Sequence, residues 1–398
     1  MKRLAAPTAL IATLLAAAPA RAAFKVPGFE LVYSYPAETT LNEPDLRQAK
    51  DVWPEMFDRA RREIDIESFY CTPKPGDALE PTLRSLERAG RRGVRIRVTL
   101  DSLLEKNSAA CLARLKRIPR LELHIAHWSA LTGAGIVHAK FFTVDRDRAY
   151  VGSQNLDWRS LDQIHEMGLA ISDAGVVKQV QSVFDHDWKI TASSAAAAPD
   201  NIARPTSDRS PRAYLTASPW QYDPPGVGDS ESELVKLIGE ATDTIDVQNM
   251  EYLPINTYEK PERYYPPIDD ALRAAAMRGV KINLLISDWS PQKKYLQSLA
   301  ILPNVRVELI TIPQAKEGPI PYARVAHSKY MVVDGKTLWM STSNWRGGYL
   351  EGTRDLDVIV KDPKLAERAD EVIKHLRNSA YAAPLDLTKD YPDPKQKD

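Results

Sequence analysis

Apolar positions along the chain follow two periods in turn. An apolar run opening on Ile64-Asp65-Ile66 reads as a strand, and Leu79, Leu83 and Leu86 then recur at helical spacing up to Ala89. Arg92-Gly93 stops that helix, because glycine takes the left-handed conformation at a helix end. The β-branched alternation Val94-Arg95-Ile96-Arg97-Val98 predicts the strand that follows. The same order of patterns returns later: Ile245-Asp246-Val247, a helix over 268–277 closed by Arg278-Gly279, and a strand Val280-Lys281-Ile282-Asn283-Leu284. Each half then predicts one more helix and a strand, over 121–125 and 305–310. The offset between the copies drifts from 181 at Ile64 and Ile245 to 189 at His138 and His327, as loop insertions in a duplicated unit would produce. Strands alternating with helices predict an α/β fold in two similar halves, each around a largely buried sheet.

The halves are expected at 23–192 and 213–383. Residues 193–212, rich in Ala, Ser, Pro and Asp, read as the linker between them. Residues 384–398 read as a polar, Pro-containing tail, draped or disordered. The segment 254–267 holds Tyr258, Tyr264 and Tyr265 among four prolines, a composition that predicts an ordered loop. At the N-terminus, Met1-Lys2-Arg3 precedes an apolar stretch from Leu4 to Pro19 and the small-x-small site Ala20-Arg21-Ala22. That order predicts a signal peptide over 1–22 and an exported protein, periplasmic or secreted. The apolar run is short of the roughly 20 residues a membrane anchor needs.

Composition narrows the function classes. Hydrophobic residues at 43% and charged residues at 27% exclude a disordered chain. Lys+Arg and Asp+Glu both number 53, and removal of 1–22 leaves 50 against 53, a net charge of −3. A polybasic nucleic-acid coat is therefore excluded. Two cysteines rule out a disulfide scaffold and a four-thiolate zinc site. An oxidising compartment would allow Cys71 and Cys111 to pair, although the sequence does not place them within bonding distance.

The candidate chemistry is duplicated as well. His138-Ala139-Lys140 is followed by Asp145 and then Gly152-Ser153-Gln154-Asn155; His327-Ser328-Lys329 is followed by Asp334 and then Ser341-Thr342-Ser343-Asn344. The internal spacings are identical, and an acid stands eleven residues beyond each Asn, Glu166 and Asp355. His and Lys two apart share one face of a strand, while Phe141 to Val144 and Tyr330 to Val333 read as buried strand. The Ser/Asn corners (Ser153, Asn155, Ser343, Asn344) offer hydroxyl, amide and backbone donors to a phosphate. Two imidazoles, two ammoniums and two asparagines converging on one spot suit a phosphodiester. One neutral His attacks phosphorus, forming a phosphohistidine, and the other donates a proton to the leaving oxygen. Lys140 and Lys329 offset the charge on the phosphoryl oxygens, so this chemistry calls for no metal or other cofactor. Glu166 and Asp355 are the acceptors that would fix each tautomer, each expected to serve the His of the opposite half.

At these residues the chain resembles the phospholipase D superfamily, whose signature is a duplicated His-x-Lys-x4-Asp with a trailing Gly-Ser-x-Asn. The stretches GSQNLDWRSL (152–161), YARVAHSKYM (322–331) and Ser343-Asn344-Trp345, with 249–288, look like the branch of animal phospholipase D types three and four. The resemblance implies an α-β-α sandwich per half, a pseudo-twofold relation, and an active site at the interface. It also implies metal-independent phosphodiester cleavage with His138 as nucleophile and His327 as acid/base. The branch implies 5′ exonuclease-like action on single-stranded nucleic acid, with lipid transphosphatidylation also associated with it. One departure is Ser341, where the signature has glycine; a position needing positive φ or close backbone approach would make Ser341 costly.

Other residues take plainer readings. Asp185-His186-Asp187 reads as a solvated helix face rather than a metal cluster. Arg95 and Arg97 are expected at a strand edge or paired with acids. Trp128, Trp289, Trp345 and Tyr349 follow strand ends on the motif side and are expected to line the mouth. The leading function is a phosphodiesterase acting on single-stranded nucleic acid or phospholipid head groups, with transient membrane-surface contact in the lipid case and no obligate protein partner. The alternatives are a phospholipase D acting on phospholipids alone, and a non-catalytic phosphate- or lipid-binding module.

Overall fold

The computed structural model describes residues 23–193, 196–258 and 260–393; the expected signal peptide lies outside them. The halves repeat one topology. In the first, the main strands run in the spatial order Phe29–Ser34, Glu166–Ile171, Arg148–Gly152, Lys140–Val144, Glu63–Ser68, Arg95–Asp101, Leu121–Ala126. In the second the matching order is Ala213–Ser218, Asp355–Lys361, Thr337–Ser341, Tyr330–Val333, Thr244–Asn249, Lys281–Ser287, Val305–Ile310. The crossovers that carry helices join parallel strands, with Ile64 opposite Ile96 and Ile245 opposite Ile282. The motif strands form antiparallel hairpins, which need only short turns.

Burial explains the layering. Helices Ala49–Arg59 and Glu80–Arg91 cover the outer face of the first sheet, and Ser230–Glu240 and Pro267–Met277 cover that of the second. Helices Ala174–Thr191 and Pro363–Arg377 pack with strands of both halves into one shared core, where Val151, Leu169 and Phe184 meet Leu215, Met340 and Val372. Each half is thus a sheet between helices, and the halves are fused through a common apolar layer.

The segments flanking the second half are docked. Ala197 N–H donates to the Leu131 carbonyl (2.8 Å), and Arg204 pairs with Asp229 (2.6 Å). Ala382–Pro384 adds an edge strand to Val305–Ile310, Leu385 is buried, and Gln297 donates to the carbonyls of Asp386 and Lys389, so the tail is draped through Asp393. Of the 254–267 segment, the described residues include parts of two short paired strands, Tyr252–Asn256 and Arg263–Tyr264, and Tyr265 is buried. Cys71 and Cys111 form a disulfide with Cα atoms 5.8 Å apart.

Candidate active site

The halves meet through a pair of matching backbone exchanges. Val137 bridges Arg354, and Ala326 bridges His165, in parallel. His138 N–H donates to the Arg354 carbonyl (3.0 Å), and His327 N–H donates to the His165 carbonyl (2.8 Å). Each histidine is thereby laced to the residue preceding the other half's carboxylate. The side chains complete the exchange: His138 Nδ1 lies 3.0 Å from Asp355 Oδ1, and His327 Nδ1 lies 2.8 Å from Glu166 Oε2. Nδ1 is thus engaged with a carboxylate in both rings. Both imidazoles line one cleft of about 620 Å³.

Lys140 and Lys329 are arranged with the same symmetry. Each ammonium donates to the carbonyl of its own half's histidine, and both lysines are buried. Each carboxylate also has a hydroxyl partner that the sequence reading missed. Ser160 Oγ donates to Glu166 (2.5 Å), and Thr342 Oγ1 donates to Asp355 (2.5 Å). Thr342 stood in the corner motif as an unassigned position, whereas nothing in the local pattern marked Ser160. The His138 ring sits between Phe69 and Tyr349, at 5.5 and 4.9 Å between centroids.

The two pairs differ electrostatically. Burial, reinforced by the charges of Lys140, Lys329 and His327, pushes His138 well below the usual imidazole range. Burial also lowers His327, to about 4, against the pull of Glu166. Burial alone would raise Glu166, but His327 and Lys329 outweigh it and hold the carboxyl below its ordinary value. Asp355 goes the other way: burial lifts it to about 7 despite Lys140 and Thr342. Burial depresses Lys140 strongly and Lys329 to about 7. An anion entering the cleft would restore charge on these groups, since an opposite charge favours the protonated form.

Several expected residues stand elsewhere or take other parts. Asp145 and Asp334 lie outside the site. A strand of five residues at about 3.3 Å each carries Asp145 roughly 16 Å from Lys140. There its carboxylate accepts from the N–H groups of Arg61, Arg62 and Glu63 (2.8, 2.7 and 3.0 Å). Asp334 likewise accepts from Thr242, Asp243 and Thr244 (3.0, 2.8 and 3.0 Å). Both sit at positive φ in their hairpins, 54° and 51°, a conformation Asp tolerates better than most residues. Ser343 donates its hydroxyl to the Asn344 carbonyl, and Ser153 donates to the Met167 carbonyl beside Glu166, whose carboxylate it also helps to keep ionised. Asn155 lines the cleft, and the side-chain carbonyls of Asn155 and Asn344 have no hydrogen-bond partner among the described residues.

Ser341 carries no strain. Its φ is not positive, its hydroxyl donates to Asp357 (2.6 Å), and it accepts from Ser343 N–H (2.8 Å). Trp289 lines the cleft, and Tyr349 packs on His138, but Trp128 and Trp345 are fully buried in core clusters. Asp187 is not on a solvated face: it is wholly buried against Arg354 (2.8 Å). Arg95 pairs with Glu63, and Arg97 pairs with Asp65 (2.8 Å).

Comparison with known proteins gives the same picture. Residues 54–188 and 234–377 match the family model described as cardiolipin synthase, PLD-like domain. Phospholipase D Z of Dictyostelium discoideum is 31% identical over 373 residues, covering 84% of this chain and 86% of that protein. The 5′-3′ exonuclease PLD3 of Xenopus laevis is 30% identical over 381 residues, covering 86% and 75%. In fold, the chain is similar to the crystal structure of phosphatidylserine synthase from Haemophilus influenzae, with a TM-score of 0.60 at 11% identity over 84% of this chain and 85% of that one. The chain therefore belongs to the phospholipase D superfamily, with two PLD-like halves and relatives in the animal PLD3 branch.

Proposed function

We propose that this phosphoric diester hydrolase works through a covalent phosphohistidine on His138, with His327 as general acid and then general base. The observation that carries the reading is the crossed pairing, in which each imidazole is oriented through Nδ1 by a carboxylate of the other half. His138 Nε2 attacks phosphorus as a neutral ring, and His327 Nε2 gives its proton to the leaving oxygen as the P–O bond breaks. Water then attacks the phosphorus, His327 takes its proton, and the P–N bond breaks. The electrostatic asymmetry favours this division of labour. Glu166 is the carboxylate better kept ionised, so the imidazolium that must form is better stabilised on His327. Lys140 and Lys329 balance the charge on the equatorial phosphoryl oxygens.

For the substrate we propose the 5′ end of single-stranded nucleic acid, in line with relatives named 5′-3′ exonuclease PLD3. The cleft offers flat rings, Phe69, Tyr70, Trp289 and Tyr322, on which bases could stack without sequence preference. A second reading, a phospholipid head group, is favoured by the same apolar lining, which carries one arginine, Arg159, already paired with Asp157 (2.8 Å). Relatives named phospholipase D point that way too. Export of the protein, proposed from the N-terminal pattern, is in keeping with the Cys71–Cys111 disulfide. The deciding experiment offers the purified protein a 5′-labelled single-stranded oligonucleotide and phosphatidylcholine vesicles. Stepwise release from the 5′ end is expected; cleavage of the lipid alone transfers the assignment to a phospholipase, and cleavage of neither refutes both. The His138→Asn variant should remain folded and lose turnover, whereas unchanged turnover would refute its role.

A further inference from the structure

One residue before Asp355 stands Arg354, a guanidinium with no solvent exposure. Its side chain gathers segments of both halves. Nη1 donates to the Ser218 carbonyl and Asp223 (both 2.9 Å), and Nη2 donates to Asp187 (3.0 Å) and the Tyr222 carbonyl (2.7 Å). Nε lies 2.8 Å from the second oxygen of Asp187, and the indole of Trp128 faces the guanidinium at 5.1 Å. The Trp128 Nε1–H in turn donates to the Gly352 carbonyl (3.0 Å), two residues before Arg354. Asp187 comes from the last turns of the helix Ala174–Thr191, and Asp223 from the loop after the strand Ala213–Ser218.

The backbone of the same residue touches the site. Arg354 N–H donates to the Ile136 carbonyl (2.9 Å), and its carbonyl accepts from His138 N–H (3.0 Å). Its side chain therefore fixes the peptide that holds both His138 and Asp355. At the pseudo-equivalent position the other half has His165, whose ring meets the Ser328 hydroxyl at 3.1 Å and, among the described residues, no side-chain carboxylate within ion-pair distance. The residue before Asp355 is thus a planar cation held by two carboxylates, whereas the residue before Glu166 is an imidazole held by a hydroxyl. The brace extends outward: Asp187 also meets His186 Nδ1 (2.9 Å), whose Nε2 lies 2.8 Å from Asp200 of the segment linking the halves.

We propose that Arg354 is a positioning residue that, through its ion pairs with Asp187 and Asp223, sets the place of Asp355 behind His138. The inference rests on the phosphohistidine reading, with His138 as the attacking group. The guanidinium does not contact substrate; it acts because a planar fork gripping two carboxylates and two carbonyls leaves its own backbone no freedom to shift. A small misplacement of an acceptor behind a nucleophile is expected to lower turnover rather than binding.

The test uses the full chain and bis(p-nitrophenyl) phosphate, with Arg354→Lys, Asp355→Asn and the double variant. Arg354→Lys keeps the charge and loses the fork. It is expected to lower kcat by roughly 10- to 100-fold with KM within about twofold. In the Asp355→Asn background the same substitution should have little further effect, because coupled residues are not additive. Asp223→Asn, which still accepts a hydrogen bond, is the second variant should Arg354→Lys not fold, and the same coupling to Asp355→Asn is expected of it. A wild-type kcat in Arg354→Lys, or an equal loss in both backgrounds, overturns the proposal while leaving the phosphohistidine reading in place. A wild-type protein that does not cleave the diester overturns both.

Discussion

The hydroxyls of Ser160 and Thr342 are small groups with a large lever, since each tunes the carboxylate that orients an imidazole. Ser160→Ala and Thr342→Val are each expected to lower kcat about 10-fold or more with little change in KM, because orientation matters chiefly in the transition state. Steady-state kinetics on both variants checks this; a rise in KM alone would assign them to substrate binding instead. The buried ionisable groups also set a pH dependence. Burial and the neighbouring Lys140, Lys329 and His327 favour the neutral form of His138, the form the proposed nucleophile needs. His327, at about 4 in the free protein, loses its acid form progressively as pH rises, and Lys329 loses its proton as pH rises through about 7. Both losses act in one direction; Asp355, lifted to about 7, gains its charge over the same range and opposes them only in part. The expected outcome is a kcat/KM at least about tenfold higher at pH 5 than at pH 8, since kcat/KM reports free-enzyme groups. A profile that is flat or climbs toward pH 8 contradicts the assignment of His327 as acid.

Among the elements, the corner strands show how one chemistry is built from unlike parts. In the first half Gly152 pairs with Gly168, and a Cβ on Gly152 would meet the Gly168 Cα at 2.7 Å and the Met167 carbonyl oxygen at 2.9 Å. In the second half the equivalent pair is Ser341 and Asp357, joined side chain to side chain. Gly152→Ser is expected to destabilise by about 1–3 kcal/mol through overpacking against backbone. Ser341→Gly should cost about 1–3 kcal/mol by leaving Asp357 short of a buried donor. Denaturant unfolding of both variants measures this, and two neutral results would refute the account of the departure at Ser341. Much of this level was legible in advance. The strand and helix periods and the matched spacing of His138 and His327 carried the topology, because period and spacing are local properties. The partners at Asp145, Asp187 and Trp345 were not legible. A motif aspartate looks catalytic until strand length carries it away, and burial at the fused inner layer depends on contacts between halves that no local window contains.

For the molecule as a whole, the shared core makes the halves one unit, and the site exists only where they meet. The disulfide braces one wall of that meeting place. Cys71 lies between Tyr70 and Thr72, and Cys111 follows Leu104 and Asn107, all four of which line the cleft. Closing a loop of about 40 residues is worth about 4 kcal/mol by chain entropy, so the Cys71→Ser/Cys111→Ser double variant should lose stability of that order. It should also lose kcat/KM, and a fully active variant would show that the wall holds without its brace. The crossed histidine–carboxylate pairing makes one claim above the rest, that phosphorus is carried on His138. Rapid denaturing quench after mixing with a diester labelled at the scissile phosphorus, followed by peptide mapping, tests it directly. The account predicts a label stable to alkali and lost in acid, mapped to His138 and missing from His138→Asn. Label retained by His138→Asn and mapped to His327, or turnover with no covalent species at any time point, would contradict it.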